Sequence, residues 1–553
     1  MTTVKQRVLR LPAAVVRGAL HPRVLRTGAG ARTWRLVVDA PGLPDALRSR
    51  LARRVGGGLA KANRPEGAVL ALSAAARRTT DARHRADLLG EAARLDLAHG
   101  RAPRVLTAAV AAELACADTR WAAGESKAAA ASAVAALQLA FHRVLHFDRT
   151  TSPLAEDPTA YLEPVHRSQV VRALTKGAGR AAAPAEPPAG RPLRLLFVTR
   201  GNANFLQQIR DHYADHPEVE LRSLDFKENP ALDKLATSLT RLAAHRLGGE
   251  EEFDRQAEEL LRPHLDWADT VFVDWCVGPA AVLTSVDPGT TRIVVRLHSA
   301  ETFSPWPFLV DFSRVDDLVF VGAHLRDLTV SVVPQLSSAR APRLHVIANA
   351  MDLAGQVRPK TEDARFTLGL TGISSVAKDP RWAIEVLRIL RAEDPRYRLL
   401  LLGADVDATL SAASRAYARQ YRRDVAELEP SGALRRLGQL DDVPAALTEV
   451  GVILSSSVRE SFHCGFVEGA ASGAVPVGRD WPFFAGRTNG ARTLFPAGWV
   501  VASPQEAAAR ILAVTATREG WSKAGRAASA HALAAWDWPV VREEFDRLLL
   551  PDH

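Results

Sequence analysis

The run Val452-Ile453-Leu454-Ser455-Ser456-Ser457, followed after two residues by Glu460-Ser461-Phe462-His463-Cys464-Gly465-Phe466-Val467-Glu468-Gly469-Ala470-Ala471-Ser472-Gly473-Ala474-Val475-Pro476-Val477, decides the fold. It reads as a buried strand, a loop, a helix stopped at Gly473, and a second strand. Glu460 therefore sits on the loop leaving a strand, and Glu468 in the first turns of the helix that follows. Loops at the carboxyl ends of strands are where open α/β sheets bind ligands. Two carboxylates there accept hydrogen bonds from a polyhydroxyl ligand, and the helix start offers free N–H groups to a phosphate.

At 553 residues the chain has room for about two to four domains. Its 47% hydrophobic and 24% charged content are those of a globular protein. The three cysteines, Cys116, Cys276 and Cys464, show no CxxC spacing, which points to a reducing compartment and no structural zinc. The net charge of +9 is uneven: residues 1–62 carry thirteen Lys/Arg against Asp39 and Asp45. Two readings stay open for this arm, a solvated basic segment or a surface that meets anionic lipid or an anionic polymer. The stretch from Val8 to Arg17 is weakly amphipathic but broken by Pro12. Nucleic acid is not expected, because no aromatic-interleaved basic motif is visible. No uninterrupted apolar run reaches the roughly 20 residues of a membrane span. The Ala-rich stretch 128–140, with Ser132 and Gln138, is expected to be a packed helix. No apolar signal region opens the chain. The expected location is the cytoplasm, peripheral at the inner membrane face if the basic arm binds lipid.

Residues 63–177 show Ala, Leu and Arg at helical spacing, consistent with paired, repeat-like helices. The Ala/Pro/Gly-rich stretch 178–192 reads as a linker. Short apolar strands then alternate with helices: Leu193–Val198, Leu221–Leu224, Thr270–Asp274, Arg292–Leu297, Leu318–Val321 and Leu344–Ile347. A second alternating set comprises Arg365–Leu370, Tyr397–Leu402, Leu434–Leu437, Val452–Leu454 and Val475–Val477. The pattern predicts an α/β fold with two facing Rossmann-like domains, 193–355 and 356–525, behind an α-helical domain, with a C-terminal helix over 526–553 packing back across them.

Several motifs in order give the region 193–549 a resemblance to GT-B glycosyltransferases. More narrowly, it resembles the retaining glycosyl transferases group 1, family 4-like. Val346-Ile347-Ala348-Asn349-Ala350-Met351-Asp352 resembles the family's interdomain segment. Leu400-Leu401-Leu402-Gly403 resembles the strand before the nucleotide pocket, and Leu437-Gly438-Gln439-Leu440 with Val443–Leu447 a further family motif. The paired glutamates followed by Ala-x-Gly-x-Pro-Val are the most specific element.

The resemblance implies transfer of a sugar from a nucleotide-diphosphate donor to an acceptor hydroxyl with retention of anomeric configuration. It implies no metal and no cofactor beyond the donor. Glu468 would bind the donor ribose, Glu460 the hydroxyls of the transferred sugar, and Ser461, Phe462, His463, Cys464 and Gly465 the sugar and diphosphate. Lys378 matches the lysine of the diphosphate site, where an ammonium stabilises charge growing on the leaving group. His298 matches a histidine near the reacting sugar. Gly201, Asn202 and Glu301 are candidates for the acceptor, which would be a carbohydrate, lipid-linked or polymer hydroxyl. Each has a structural alternative: a first-turn carboxylate favoured by the helix dipole for Glu468, a solvated loop lysine for Lys378, a satisfied core histidine for His298.

The chain departs from the family at five places. Ile373 stands where an arginine is usual, so the diphosphate site either lacks a cation or takes one from elsewhere, such as Arg381. Ser461 and His463 stand where the family has glycines and narrow the pocket. Ala348 and Ala350 replace Pro and Gly. Two other functions keep the same fold: a decayed nucleotide- or glycan-binding module, and a nucleotide-sugar epimerase.

Overall fold

The computed structural model describes residues 41–550 together with Gly30, Trp34 and Val38. Most of the basic N-terminal segment, including Val8–Arg17, lies outside the described residues. From residue 41 the described chain runs through α1 (Asp45–Lys61), α2 (Pro65–Arg78), α3 (Ala82–Ala98), α4 (Leu106–Ala122) and α5 (Ser126–Ala140). Each packs on the next in sequence. Small residues allow close approach: a Cβ on Gly56 of α1 would lie 3.2 Å from Leu72 of α2. The Asp81 side chain starts α3 by accepting from the His84 N–H at 2.8 Å. The apolar stretch Ser126–His146 has the length and composition of a membrane span, unlike the sequence expectation, but 67% of its window is buried inside the protein. Shorter helices, α6 (Pro158–Arg167) and α7 (Gln169–Leu174), complete the region.

Residues 175–192 are not a free linker. The Ala178 N–H donates to Asp311 (2.9 Å), and Arg180 Nη1 binds both oxygens of Asp316 (2.6 Å) while its Nη2 reaches the Thr291 carbonyl (2.8 Å).

Two six-stranded, all-parallel sheets follow. The first has the order β2-β1-β3-β4-β5-β6: β1 (Leu193–Thr199), β2 (Val219–Asp225), β3 (Thr270–Asp274), β4 (Arg292–Leu297), β5 (Asp317–Phe320) and β6 (Arg343–Val346). Helix α8 (Ala323–Val332) follows β5. The second sheet has the order β12-β11-β10-β7-β8-β9: β7 (Thr367–Thr371), β8 (Arg398–Leu402), β9 (Leu434–Gly438), β10 (Val452–Ser455), β11 (Val475–Arg479) and β12 (Val500–Val501). Helix α9 (Pro380–Glu393) follows β7 and helix α10 (Cys464–Ala471) follows β10. Strands such as β3, β5 and β10 are buried at every residue, as parallel strands covered on both faces must be. The chain is thus the expected α/β protein, two facing Rossmann-like domains behind an α-helical region.

Helix α11 (Arg518–Trp536) packs on α10, and α12 (Trp538–Leu549) crosses back to the first lobe. There Phe545 meets Phe272, and Asp546 accepts from Tyr213 Oη and His212 Nε2, both at 3.0 Å. One continuous apolar cluster joins the helical region, the first lobe and the facing side of the second, running from Leu137 through Phe303 and Phe308 to Phe462 and Trp536. The helical region is therefore built into the core.

Candidate donor site between the lobes

In the second sheet the strand order reverses between β7 and β10, and a crevice opens at such a switch point beyond the carboxyl ends of the strands. A cavity of about 290 Å³ lies there. Its lining comes from the end of β7 (Thr371, Gly372), the turn before α9 (Lys378), the β10–α10 loop and α10 (Glu460 to Gly465, Glu468), the interdomain segment (Asn349) and the first lobe (Phe205). The structure thus gathers Glu460, Lys378, Glu468, Ser461, Phe462, His463, Cys464 and Gly465 around one space.

Local contacts stitch the two loops together. The Val458 N–H donates to the Ala377 carbonyl (2.8 Å), and Ser456 Oγ to the Lys378 carbonyl (2.6 Å). Asp379, in left-handed backbone at φ 43°, accepts from Arg479 (2.8 Å) and from Tyr417 Oη (2.7 Å). This clamp sets the turn from which Lys378 projects. Its Nζ donates to Glu460 Oε1 at 2.7 Å, and Ser457 Oγ donates to the same oxygen at 2.5 Å. Burial pushes the Glu460 carboxyl up, but the opposing charges of His463 and Lys378 and the two hydrogen bonds outweigh it and hold the group down at about 2. Burial in turn pushes His463 down to about 4, so its ring is neutral at neutral pH and the counter-charge to Glu460 is that of Lys378.

Glu468 has the opposite environment. Burial raises its carboxyl, and among the described residues nothing hydrogen-bonds to it. Among the described residues, likewise, no acceptor takes the backbone N–H groups of Phe462, His463, Cys464 and Gly465, which sit where the partial positive charge of α10 concentrates. His463 is the left-handed residue before the helix, at φ 77°, a conformation that disfavours any side chain. Both its ring nitrogens are buried without a hydrogen-bond partner, Nε2 lying 3.7 Å from Glu460 Oε1, and the ring stacks on Phe466 (5.7 Å between centroids). The hydroxyl of Thr371 is also buried and unpartnered. Asn349 Nδ2 reaches Cys464 Sγ at 3.5 Å, and burial pushes that thiol up to about 12. The Phe462 ring packs edge-on against Trp536, 5.9 Å between centroids.

The first-lobe candidates separate. His298 ends β4, buried, its Nε2 3.4 Å from Asp274, which also holds Arg296 at 2.7 and 2.9 Å. The imidazole lies against Trp275 (4.2 Å) and Phe205 (5.1 Å), and it is Phe205 that lines the cavity. Gly201 and Asn202 stand at the exposed end of β1, away from the lining; the Gly201 N–H is held by Asp225 at 2.9 Å. Glu301 is a correction. It is wholly buried, and its Oε1 accepts the N–H groups of Cys276 and His298, both at 3.1 Å, so it braces the loops after β3 and β4 and is closed to an acceptor. Arg381 does not replace the arginine absent at Ile373: it binds Asp424 (2.7 Å) and Gln420 (2.8 Å), and Ile373 itself is packed in the second-lobe core. Thr371, Asn349 and Phe205 were not singled out from sequence; the strand-end position of Thr371 and the place of Asn349 in the interdomain segment were the available signals.

Burial pushes the Glu301 carboxyl from the usual 4.5 up to about 8. The folded chain then holds a proton that the unfolded chain releases, so stability falls as pH rises from about 4.5 to about 8, with a limiting slope of about 1.4 kcal/mol per pH unit. Buried histidines such as His146, His324 and His463, pushed down to about 4, add slopes of the opposite sign, so the test is the difference: denaturant titrations of wild type and Glu301→Gln across that range should diverge by this slope, and parallel curves would show that Glu301 is ionised in the fold.

No protein-family model matches the chain, and no curated protein matches it in sequence. Among solved structures, Anabaena HepE in complex with UDP and glucose is similar at 13% identity, over 65% of this chain and 99% of that one, with a TM-score of 0.46. Sucrose-phosphate synthase from Thermosynechococcus elongatus is similar at 14% identity, over 64% and 98%, with a TM-score of 0.46. Trehalose-6-phosphate synthase OtsA is similar at 13% identity, over 65% and 99%, with a TM-score of 0.47. At such identities these likenesses carry nothing about chemistry.

Proposed function

We propose that the chain is a glycosyltransferase that moves a sugar from a nucleotide-diphosphate donor to an acceptor hydroxyl, retaining anomeric configuration and working without a metal. The observation that carries this reading is one cavity at a sheet switch point holding an unpaired carboxylate, unspent helix N–H groups and a lysine. Glu468 would accept hydrogen bonds from the vicinal hydroxyls of the ribose. The α10 amides and Lys378 would hold the diphosphate. The bond between the anomeric carbon and the phosphate oxygen breaks, the acceptor oxygen bonds that carbon from the same face, and the acceptor proton passes to the departing diphosphate. Glu460 would orient the sugar hydroxyls and the lysine together.

The cavity is at the small end for a ligand site. The lobes would part to admit a whole donor, releasing the contacts Ser299–Ser461 and His324–Glu460, and closure would then exclude water. The acceptor would enter from the first lobe, and a basic N-terminal segment would favour one carried on an anionic membrane.

A thermal-shift screen with nucleoside diphosphates and their sugars tests the reading, since a ligand of the native state raises the melting temperature. Glu468→Gln should weaken the nucleoside diphosphate by about tenfold or more, the loss of a charge-assisted bond worth about 1.5–3 kcal/mol. Unchanged affinity would remove α10 from the nucleotide site. Product formation from the best donor separates transfer from mere binding or epimerisation.

A further inference from the structure

Arg459 immediately precedes Glu460 yet turns away from the cavity into the junction of all three parts of the molecule. Its guanidinium lies 4.6 and 5.2 Å from the ring centres of Phe147, from the helical region, and Phe303, from the first lobe, and the two rings themselves meet edge to face at 6.4 Å. Nε reaches the His146 carbonyl at 3.4 Å, and Nη1 reaches Ser299 Oγ at 3.2 Å. Among the described residues no carboxylate pairs with it, and burial pushes it down to about 10. Glu460 and Asp148 act on it only from a distance, and a cation held in a dry core without a carboxylate in contact is costly. Two aromatic faces and two oxygens offset part of that cost.

The turn that receives it is itself fixed. His146 is fully buried, with Nε2 on the Ala140 carbonyl and Nδ1 on Ser152 Oγ, both at 2.8 Å. The neighbours of Arg459 are tied across the same junction. His324 Nε2 donates to the Glu460 carbonyl at 3.0 Å, and the hydroxyls of Ser461 and Ser299 are 2.8 Å apart. Three consecutive residues, 459 to 461, thus lean on other parts of the chain, while the side chain of the middle one faces the cavity.

We propose that the helical region is a working part of the donor site, with Arg459 the positioning residue through which the turn at His146–Phe147 sets the Glu460 loop. The inference rests on the transfer reading for its catalytic consequence, but not for its mechanical one. Glu468 lies a helical turn into α10, which α11 supports, so nucleotide affinity is governed elsewhere. Loosening the turn at Phe147 therefore displaces Glu460 from the transferred sugar, while Lys378, fixed through the turn at Asp379, the first turn of α10 and Glu468 keep the nucleotide seated.

The test compares Phe147→Leu, Phe147→Tyr and Arg459→Met in the full chain. With turnover counted per nucleotide-binding site, Phe147→Leu and Arg459→Met should lower kcat about tenfold, as misplacement of a catalytic group does. Nucleoside diphosphate affinity should stay within about twofold, and Phe147→Tyr, which keeps the ring, should recover most of the rate. Amide exchange over residues 458–461 should quicken in Phe147→Leu while that of β10 and of the first turn of α10 stays the same. A kcat per site at the wild-type level, with unaltered exchange in that loop, would overturn the proposal. If wild-type protein turns over no donor, the transfer reading falls and the exchange comparison alone decides the positioning role.

Discussion

Lys378→Met is expected to lower kcat by about 10²–10³, the usual loss when a donor aimed at developing charge is removed, equivalent to about 2.7–4 kcal/mol. Methionine keeps the unbranched stem as far as Cε and deletes the ammonium. In the fold as it stands that ammonium is 2.7 Å from Glu460 and is the one cationic side chain in the lining among the described residues. With Ile373 where a second cation was expected and Arg381 bound to Asp424, no neighbouring arginine takes over its task. The donor KM should rise less than kcat falls, because the diphosphate gains charge as it leaves. Glu460 also loses its partner: with burial no longer opposed by Lys378, its carboxyl should move up from about 2. For that reason Lys378→Met combined with Glu460→Gln should cost little more than the worse single change, the non-additivity expected of groups that act as a unit. Steady-state kinetics on the variants decide this; a kcat within about threefold of wild type for Lys378→Met would remove the lysine from the mechanism.

Particular residues show what was legible and why. The inner strands of both sheets stand out because a strand buried on both faces needs a continuous apolar run, whereas the edge strands β2, β6 and β9 are half-exposed and interrupted by charged or polar residues. β12 was passed over because Val500–Val501 is too short to carry a pattern. The paired glutamates were readable because strand, loop and helix lie within a short span of sequence. Glu301 shows where that logic stops. It too follows a strand at the crevice, but its direction is set by the N–H of Cys276, 25 positions upstream, which no local pattern reveals. His298 is similar, since the stacking of Phe205 on it comes from the far end of the β1 loop. Arg459 looks like a solvated loop arginine in sequence; only the fold brings Phe147 and Phe303 against it. The contacts that are invisible locally are the ones between distant segments, and they are what join the helical region to the cavity.

Gly465→Ala should damage the site from the opposite direction, by moving its framework. A Cβ at Gly465 would lie 2.0 Å from Thr371 Oγ1 and 2.9 Å from Thr371 Cβ. Rotating the threonine relieves the first contact but not the second, so the start of α10 must lift from the end of β7. That shift carries the amides of Cys464 and Gly465, and His463 before them, away from the place where a diphosphate would lie. A displacement of about 1 Å at such a position costs on the order of 10² in rate, and overpacking adds about 1–3 kcal/mol of lost stability. Both nucleotide affinity and kcat should fall here, in contrast to the Phe147 variants, because the helix that bears Glu468 moves as a body. Thr371→Gly removes both colliding atoms, so the pair Gly465→Ala/Thr371→Gly should recover much of the affinity and melting temperature lost by Gly465→Ala alone. Isothermal titration with a nucleoside diphosphate and denaturation of the four proteins measure the coupling. Wild-type affinity in Gly465→Ala would mean that the ligand does not rest on the first turn of α10, and the proposed donor site would have to be placed elsewhere in the crevice.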